Sequence, residues 1–202
     1  MSDDASHRHR APTTRLAHAG RDPAGGPFVN PPVIHASTVL FDNVAQMKGK
    51  AQTPARWTYG RRGTPTSEAL ERAISDIEGA EGTVLTPSGA SACDVALLSV
   101  LASGDHLLMI DSVYGPTRNF CEGVLRRFGV ETTYYDPLIG AGIVDLIRPN
   151  TKAIFMEAPG SLTFEMPDVP AIVKAARERD ITTLIDNTWA TPLFFRPLDH
   201  GV

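Results

Sequence analysis

The chain has 202 residues, 42% of them hydrophobic, which is enough to bury a core of its own. Its formal charge of −4 is small and of the wrong sign for a protein whose main partner is nucleic acid, because phosphate backbones select a basic face. No apolar run approaches the roughly 18 residues of a spanning helix, so no membrane partner is expected; residues 1–12 carry Asp3 and Asp4 and lack the hydrophobic stretch of a secretory leader.

At the start, the cluster His7-Arg8-His9-Arg10 reads as a solvated, mobile terminus rather than a metal or nucleic-acid site. Pro12, Pro23, Gly25, Gly26, Pro27, Pro31 and Pro32 then punctuate the first sixty residues too densely for long elements. Residues 1–62 are therefore expected to form an irregular arm lying against the body or another subunit. Thr66 is placed to cap a helix over 67–79, with Ala69, Leu70, Ala73, Ile74 and Ile77 at helical spacing and Gly79 as its stop.

A β/α alternation follows. Short apolar runs predict strands at 83–86, 106–110, 130–135, 153–156 and 182–185. Helices are predicted at 88–101, 117–128 and 170–179, the last with Pro170 in its first turn. Such a pattern predicts a mostly parallel sheet covered on both faces. Ligands of such sheets sit beyond the carboxyl ends of the strands. The residues just after each strand (87–90, 111–114, 157–161 and 186–188) are therefore the candidates for chemistry. Cys93 and Cys121 form no CxxC and have no nearby His pair, which fits a reduced, cytoplasmic protein in which both are small buried apolar side chains.

Four features carry chemistry. The turn Thr86-Pro87-Ser88-Gly89-Ala90-Ser91 leads a strand into a helix and presents free backbone N–H groups, a ready phosphate site, with Gly89 allowing close approach. The same turn also occurs in connections that bind nothing. Asp186 follows directly on a buried strand, where a carboxylate needs a cationic partner such as a protonated pyridine nitrogen; an ordinary loop-capping Asp is the plainer alternative. Tyr114 can stack on a flat ring or simply pack on the rim. Tyr59 and Arg61, on the arm, suit phosphate binding, although Arg56 and Arg62 nearby mean that charge alone does not single out Arg61. No GxGxxG and no GxxxxGK[ST] supports a nucleotide enzyme.

Together these residues resemble one family. The run Tyr59-Gly-Arg-Arg-Gly-Thr-Pro-Thr66 followed by Leu70-Glu71 is similar to the YxRxxNPT…LE motif of the Cys/Met-metabolism (transsulfuration) enzymes that depend on pyridoxal 5′-phosphate (PLP), with Thr64 where Asn is usual. Ser88-Gly89-Ala90-Ser91, Tyr114-Gly115 and Ile185-Asp186-Asn187-Thr188 match in order and spacing, and the resemblance runs from about Arg15 to the end. Glu157-Ala-Pro-Gly-Ser-Leu-Thr-Phe-Glu165 and Asp186-Asn-Thr-Trp-Ala190 resemble the proteobacterial cystathionine β-lyase branch rather than the γ enzymes.

The resemblance implies an α/β fold of the aspartate-aminotransferase-like type (fold type I), with residues 63–202 forming the N-terminal portion of the PLP-binding domain. It implies Gly89 and Ala90 amides on the cofactor phosphate, Tyr114 stacked on the pyridine ring with a part in proton transfer, and Asp186 on the ring nitrogen. Tyr59 and Arg61 would reach the phosphate of the neighbouring subunit in a homotetramer built as a dimer of dimers. The implied substrate is a small sulfur amino acid, cystathionine, cleaved by α,β-elimination to homocysteine, pyruvate and ammonia, a step of methionine biosynthesis. The same family also performs γ-synthase, γ-lyase and sulfhydrylase reactions. Its Schiff-base lysine lies in a TKY-like segment downstream of Asp186-Asn187-Thr188. None of Lys48, Lys50, Lys152 and Lys174 takes that place, so the 202 residues are expected to be inactive alone, or to be a non-catalytic remnant that assembles with a relative.

Overall fold

A computed structural model describes residues 10–21, 27–53 and 55–202; His7, Arg8, His9, Pro23, Gly25 and Gly26 lie outside these. The chain divides into two compact units, Met1–Leu85 and Thr86–Val202.

In the first unit the described elements are short until the last. Helix α1 spans Pro12–His18 and α2 spans Val44–Met47, the latter capped by Asn43. The 3₁₀ turn Gly60–Arg62 follows an antiparallel bridge between Thr38 and Tyr59. Helix α3, Pro65–Glu78, starts at Pro65 because Thr64 and Ser67 form a reciprocal capping box and proline is pre-set for the first helical position. Its cap is Thr64, not Thr66 as the sequence suggested. The Thr66 hydroxyl instead accepts from Ile34 N (2.9 Å) and donates to Pro32 O (2.8 Å), fastening the arm to α3. Gly79 ends the helix in a left-handed conformation (φ 73°), as expected. Arg15 on α1 pairs with Asp76 on α3 at 2.9 Å.

The predicted strand at 83–86 does not form. The segment is extended, but no strand pairs with it among the described residues, and Val84 is 83% exposed. An apolar run becomes a strand only where a ladder partner satisfies its backbone groups.

The second unit is the predicted α/β layer. Helix α4, Gly89–Val100, leads into β1, His106–Ile110. Helix α5, Gly115–Phe120, runs on through a π-helical turn, Cys121–Leu125, to β2, Glu131–Tyr135. After the 3₁₀ segment Gly140–Leu146 come β3 (Thr151–Glu157), α6 (Val169–Arg177), β4 (Thr182–Asp186) and a short α7 (Thr191–Phe194). All four strands are parallel, in the order β2-β1-β3-β4.

Every residue of β1 is buried, and since successive side chains point to opposite faces, the sheet is covered on both. The amphipathic α6 lays Val169, Ile172, Val173, Ala175 and Ala176 into this core while Lys174 stays in solvent. Val169, Ile172 and Val173 each contribute roughly 1.5–3 kcal/mol on burial. The chain leaves β1 toward β2 on one side and returns to β3 on the other, which makes the β1/β3 boundary the switch point where a crevice opens. Among the described residues no helix is long and apolar enough to cross a membrane.

Candidate functional site

A cavity of about 1160 Å³ opens at the carboxyl ends of the strands. Its lining draws on every expected rim segment: Ser88 to Ala90, Asp111 to Tyr114, Glu157 with Ser161, and Asp186 with Thr188.

Ser88 caps α4, its Oγ accepting from Ser91 N at 3.1 Å. Gly89 and Ala90 are the first two residues of the helix, so their N–H groups have no carbonyl one turn back to donate to. A Cβ at Gly89 would have no neighbour within 4 Å, so the helix start is open toward the cavity. Tyr114 stands at the start of α5, 47% exposed at the cavity wall. Asp186 is the last residue of β4; its Oδ1 accepts from Thr188 N at 3.0 Å.

Beside Asp186, on the adjacent strand and in register with it, is Glu157, the last residue of β3. Glu157 is buried, and its oxygens accept from Tyr114 N and Ser161 Oγ, each at 2.7 Å. Burial pushes this carboxyl up and the neighbouring Asp186 adds to the rise, while the bonds from Ser161 and Tyr114 oppose it. On the Asp111 side, Arg118 pairs with Asp111 at 2.5 Å and lies 3.9 Å over the Tyr134 ring. Phe164 and Trp189 meet edge to face at 5.2 Å between ring centroids at the mouth.

Cys121 is buried as the sequence suggested, but Cys93 is not a plain apolar core residue. It is half-buried, lines the cavity and lies 3.7 Å from Asp186 Oδ2. Burial first, and Asp186 second, push its thiol up to about 11, so at neutral pH it is an S–H donor. Its position four residues after Gly89 placed it on the same helix face as the turn, and that spacing was the available signal. Phe164 falls in the run Glu157 to Glu165 that resembles the β-lyase branch, whereas nothing in the local sequence pointed to Arg118.

Tyr59 and Arg61 belong to the first unit and are not among the residues lining this cavity. They are brought together with each other: the Arg61 guanidinium lies 5.5 Å over the Tyr59 ring. Arg56, by contrast, is drawn to Glu68 at 2.5 Å. None of the four lysines lines the cavity; Lys152 starts at the opposite end of β3. Among the described residues no group of three or more His, Cys, Asp or Glu side chains is arranged to hold a metal.

A parallel α/β sheet with an open helix start, a partly exposed tyrosine and a carboxylate around one switch-point crevice has the form of a domain that binds a flat, phosphate-bearing cofactor. Residues 13–202 match the sequence profile of the Cys/Met metabolism PLP-dependent enzymes, and the chain belongs to that family. It is 56% identical over 190 residues to a putative cystathionine β-lyase of Rhizobium johnstonii, covering 94% of this chain and 47% of that protein. With a putative cystathionine β-lyase of Saccharomyces cerevisiae it shares 48% identity over 191 residues, covering 94% of this chain and 55% of the relative. The crystal structure of cystathionine γ-lyase from Lactobacillus plantarum complexed with L-serine superimposes with a TM-score of 0.86 at 32% identity, over 96% of this chain and 49% of that one. The chain thus spans about half the length of the relatives it matches.

The residues present fit PLP. The open amides of Gly89 and Ala90 suit a phosphate, the Tyr114 ring suits a flat heterocycle, and Asp186 supplies the acid that a protonated ring nitrogen pairs with.

Proposed function

We propose that this chain contributes the PLP-binding half-site of a cystathionine β-lyase, which cleaves L-cystathionine by α,β-elimination to homocysteine, pyruvate and ammonia. The convergence of Gly89, Ala90, Tyr114 and Asp186 on one cavity carries this reading, and the names of the relatives at 56% and 48% identity support the β-lyase branch.

The amides of Gly89 and Ala90, aided by the partial positive charge of the α4 N-terminus, would hold the cofactor phosphate. Tyr59 and Arg61 reach the same phosphate from a neighbouring subunit, so that residues 1–62 act as an intersubunit arm and residues 63–202 as the cofactor-binding portion, in a cytoplasmic dimer of dimers. Asp186, at the end of β4, would pair with the ring nitrogen and keep it protonated. Bound PLP supplies an electron sink for the charge that develops at the substrate Cα when its proton leaves. The Tyr114 ring, exposed at the cavity wall, would stack on the cofactor ring, and its hydroxyl would assist proton transfer. Phe164 and Trp189 add an apolar wall to the cavity beside these groups.

The test is product analysis on the full-length protein with L-cystathionine. Pyruvate together with free homocysteine thiol, without 2-oxobutyrate, is the expected result. Formation of 2-oxobutyrate would reassign the reaction to γ-elimination, and D186A retaining full turnover would remove Asp186 from the site.

A further inference from the structure

Glu157 is a buried carboxylate for which the reaction above has no use. It is 4% exposed, and among the described residues no lysine or arginine pairs with it. An uncompensated buried acid is costly, so its retention calls for a specific set of partners. Those partners are two donors on different loops: Tyr114 N–H bonds to Oε2 and the Ser161 hydroxyl to Oε1, each at 2.7 Å. The two loops follow β1 and β3, the strands flanking the switch point. They meet at two more places. Ser161 N donates to Ser112 O at 2.8 Å, and Gly160 packs so closely on Ser112 that a Cβ would collide with its side chain.

The geometry points to Glu157 as a positioning residue that bridges the two loops and fixes the backbone of Tyr114, and through it the ring, at the cavity wall. This rests on the reading of Tyr114 as the residue that stacks on the cofactor. A carboxylate suits the task because it accepts from two donors at once, one per oxygen. Its position is set by the fold: as the last residue of β3 it bonds both to the start of α5 and to the turn after β3. Burial keeps water from competing for either bond.

Glutamine can reproduce both contacts, its carbonyl accepting from Tyr114 N–H and its amide donating to Ser161 Oγ. Alanine leaves the Tyr114 amide without its acceptor. The experiment therefore compares Glu157→Gln with Glu157→Ala in the full-length protein, reading hydrogen exchange of the Tyr114 amide without PLP, then PLP affinity and visible dichroism. E157A is expected to speed Tyr114 exchange and weaken PLP binding by roughly tenfold or more, the scale of losing a hydrogen bond to a charged group. E157Q is expected to match the wild type in all three. Adding E157A to Y114A should weaken PLP no further, since Glu157 acts through Tyr114.

Unchanged Tyr114 exchange in E157A overturns the proposal, as does full additivity of the two substitutions. If Y114A leaves PLP affinity and dichroism untouched, the stacking reading of Tyr114 fails, whereas faster exchange in E157A still establishes the tether. Should E157A not fold, Glu157→Asp takes its place, because it keeps the charge and withdraws the carboxylate by one methylene; it is expected to behave as E157A.

Discussion

The Sγ of Cys93 lies 3.7 Å from Oδ2 of Asp186, joining the face of α4 to the end of β4 at the cavity wall. A thiol in that place is held protonated by burial and by the carboxylate, with its ionisation pushed up from 9.0 to about 11. A rise of that size leaves about a hundredfold less thiolate at neutral pH, and only the thiolate reacts. Cys93 is therefore expected to alkylate slowly despite lining an open cavity. Asp186→Asn removes the negative charge and with it the lesser part of the rise, burial keeping the larger part, so the thiol ionises somewhat more readily and the rate rises. Peptide mapping after iodoacetamide labelling across pH 7–10 reads both effects; a rate unchanged by D186N would mean that the two side chains do not interact.

Gly160 and Ser112 provide a packing test. A Cβ at Gly160 would overlap the Ser112 side chain, and Ser112 is held by the bond from Ser161 N. Gly160→Ala is expected to destabilise the protein by about 1–3 kcal/mol, the usual scale of overpacking. Urea unfolding measures this, and Gly160→Ala combined with Ser112→Gly should recover most of the loss.

His106 predicts a pH dependence of stability. It is buried in β1, with Nδ1 2.8 Å from Thr151 Oγ1 and Nε2 2.8 Å from Thr133 Oγ1, so it is tied across to both neighbouring strands. Burial first, and the Arg148 charge second, hold its pKa below the ordinary 6.5. The folded state thus favours neutral His106. Below about pH 6.5 the unfolded chain takes up a proton that the folded one resists, and this contribution to stability is lost as pH falls toward the lowered value. Thermal unfolding between pH 5 and 8 should show wild type losing more stability toward acid than His106→Gln; parallel curves would refute it.

In the first unit, Gly60 packs directly on the backbone carbonyl of Ala36, and its N–H donates to Ser37 O at 2.7 Å. A methyl there cannot be accommodated without moving backbone, and the turn that moves carries Tyr59 and Arg61. Gly60→Ala is expected to weaken PLP binding in the full-length protein as much as Arg61→Ala does, roughly tenfold for a lost charged contact. Fluorescence titration with PLP checks this, and undiminished affinity in both variants would remove the arm from the phosphate site.

Much of the architecture was readable because it depends on neighbours in the chain. The apolar run His106 to Ile110 became β1 at the expected limits, and the helix with Pro170 in its first turn formed within a residue or two of its expected limits, as Val169–Arg177. The rim was readable for a related reason: in a parallel sheet every residue just after a strand arrives at the same end. The family motifs added the branch. What local pattern could not decide was pairing. Thr83 to Thr86 has the composition of a strand and no ladder partner among the described residues, while Thr66 has the chemistry of a cap but spends its hydroxyl on Pro32 and Ile34. Cys93 beside Asp186 and Glu157 beneath Tyr114 are contacts across 93 and 43 residues, respectively. Local chemistry along the chain determined where strands, helices and their polar ends would fall. Only tertiary packing decided which of those ends met, because a hydrogen bond or a buried charge is fixed by distance in space and not by separation in sequence.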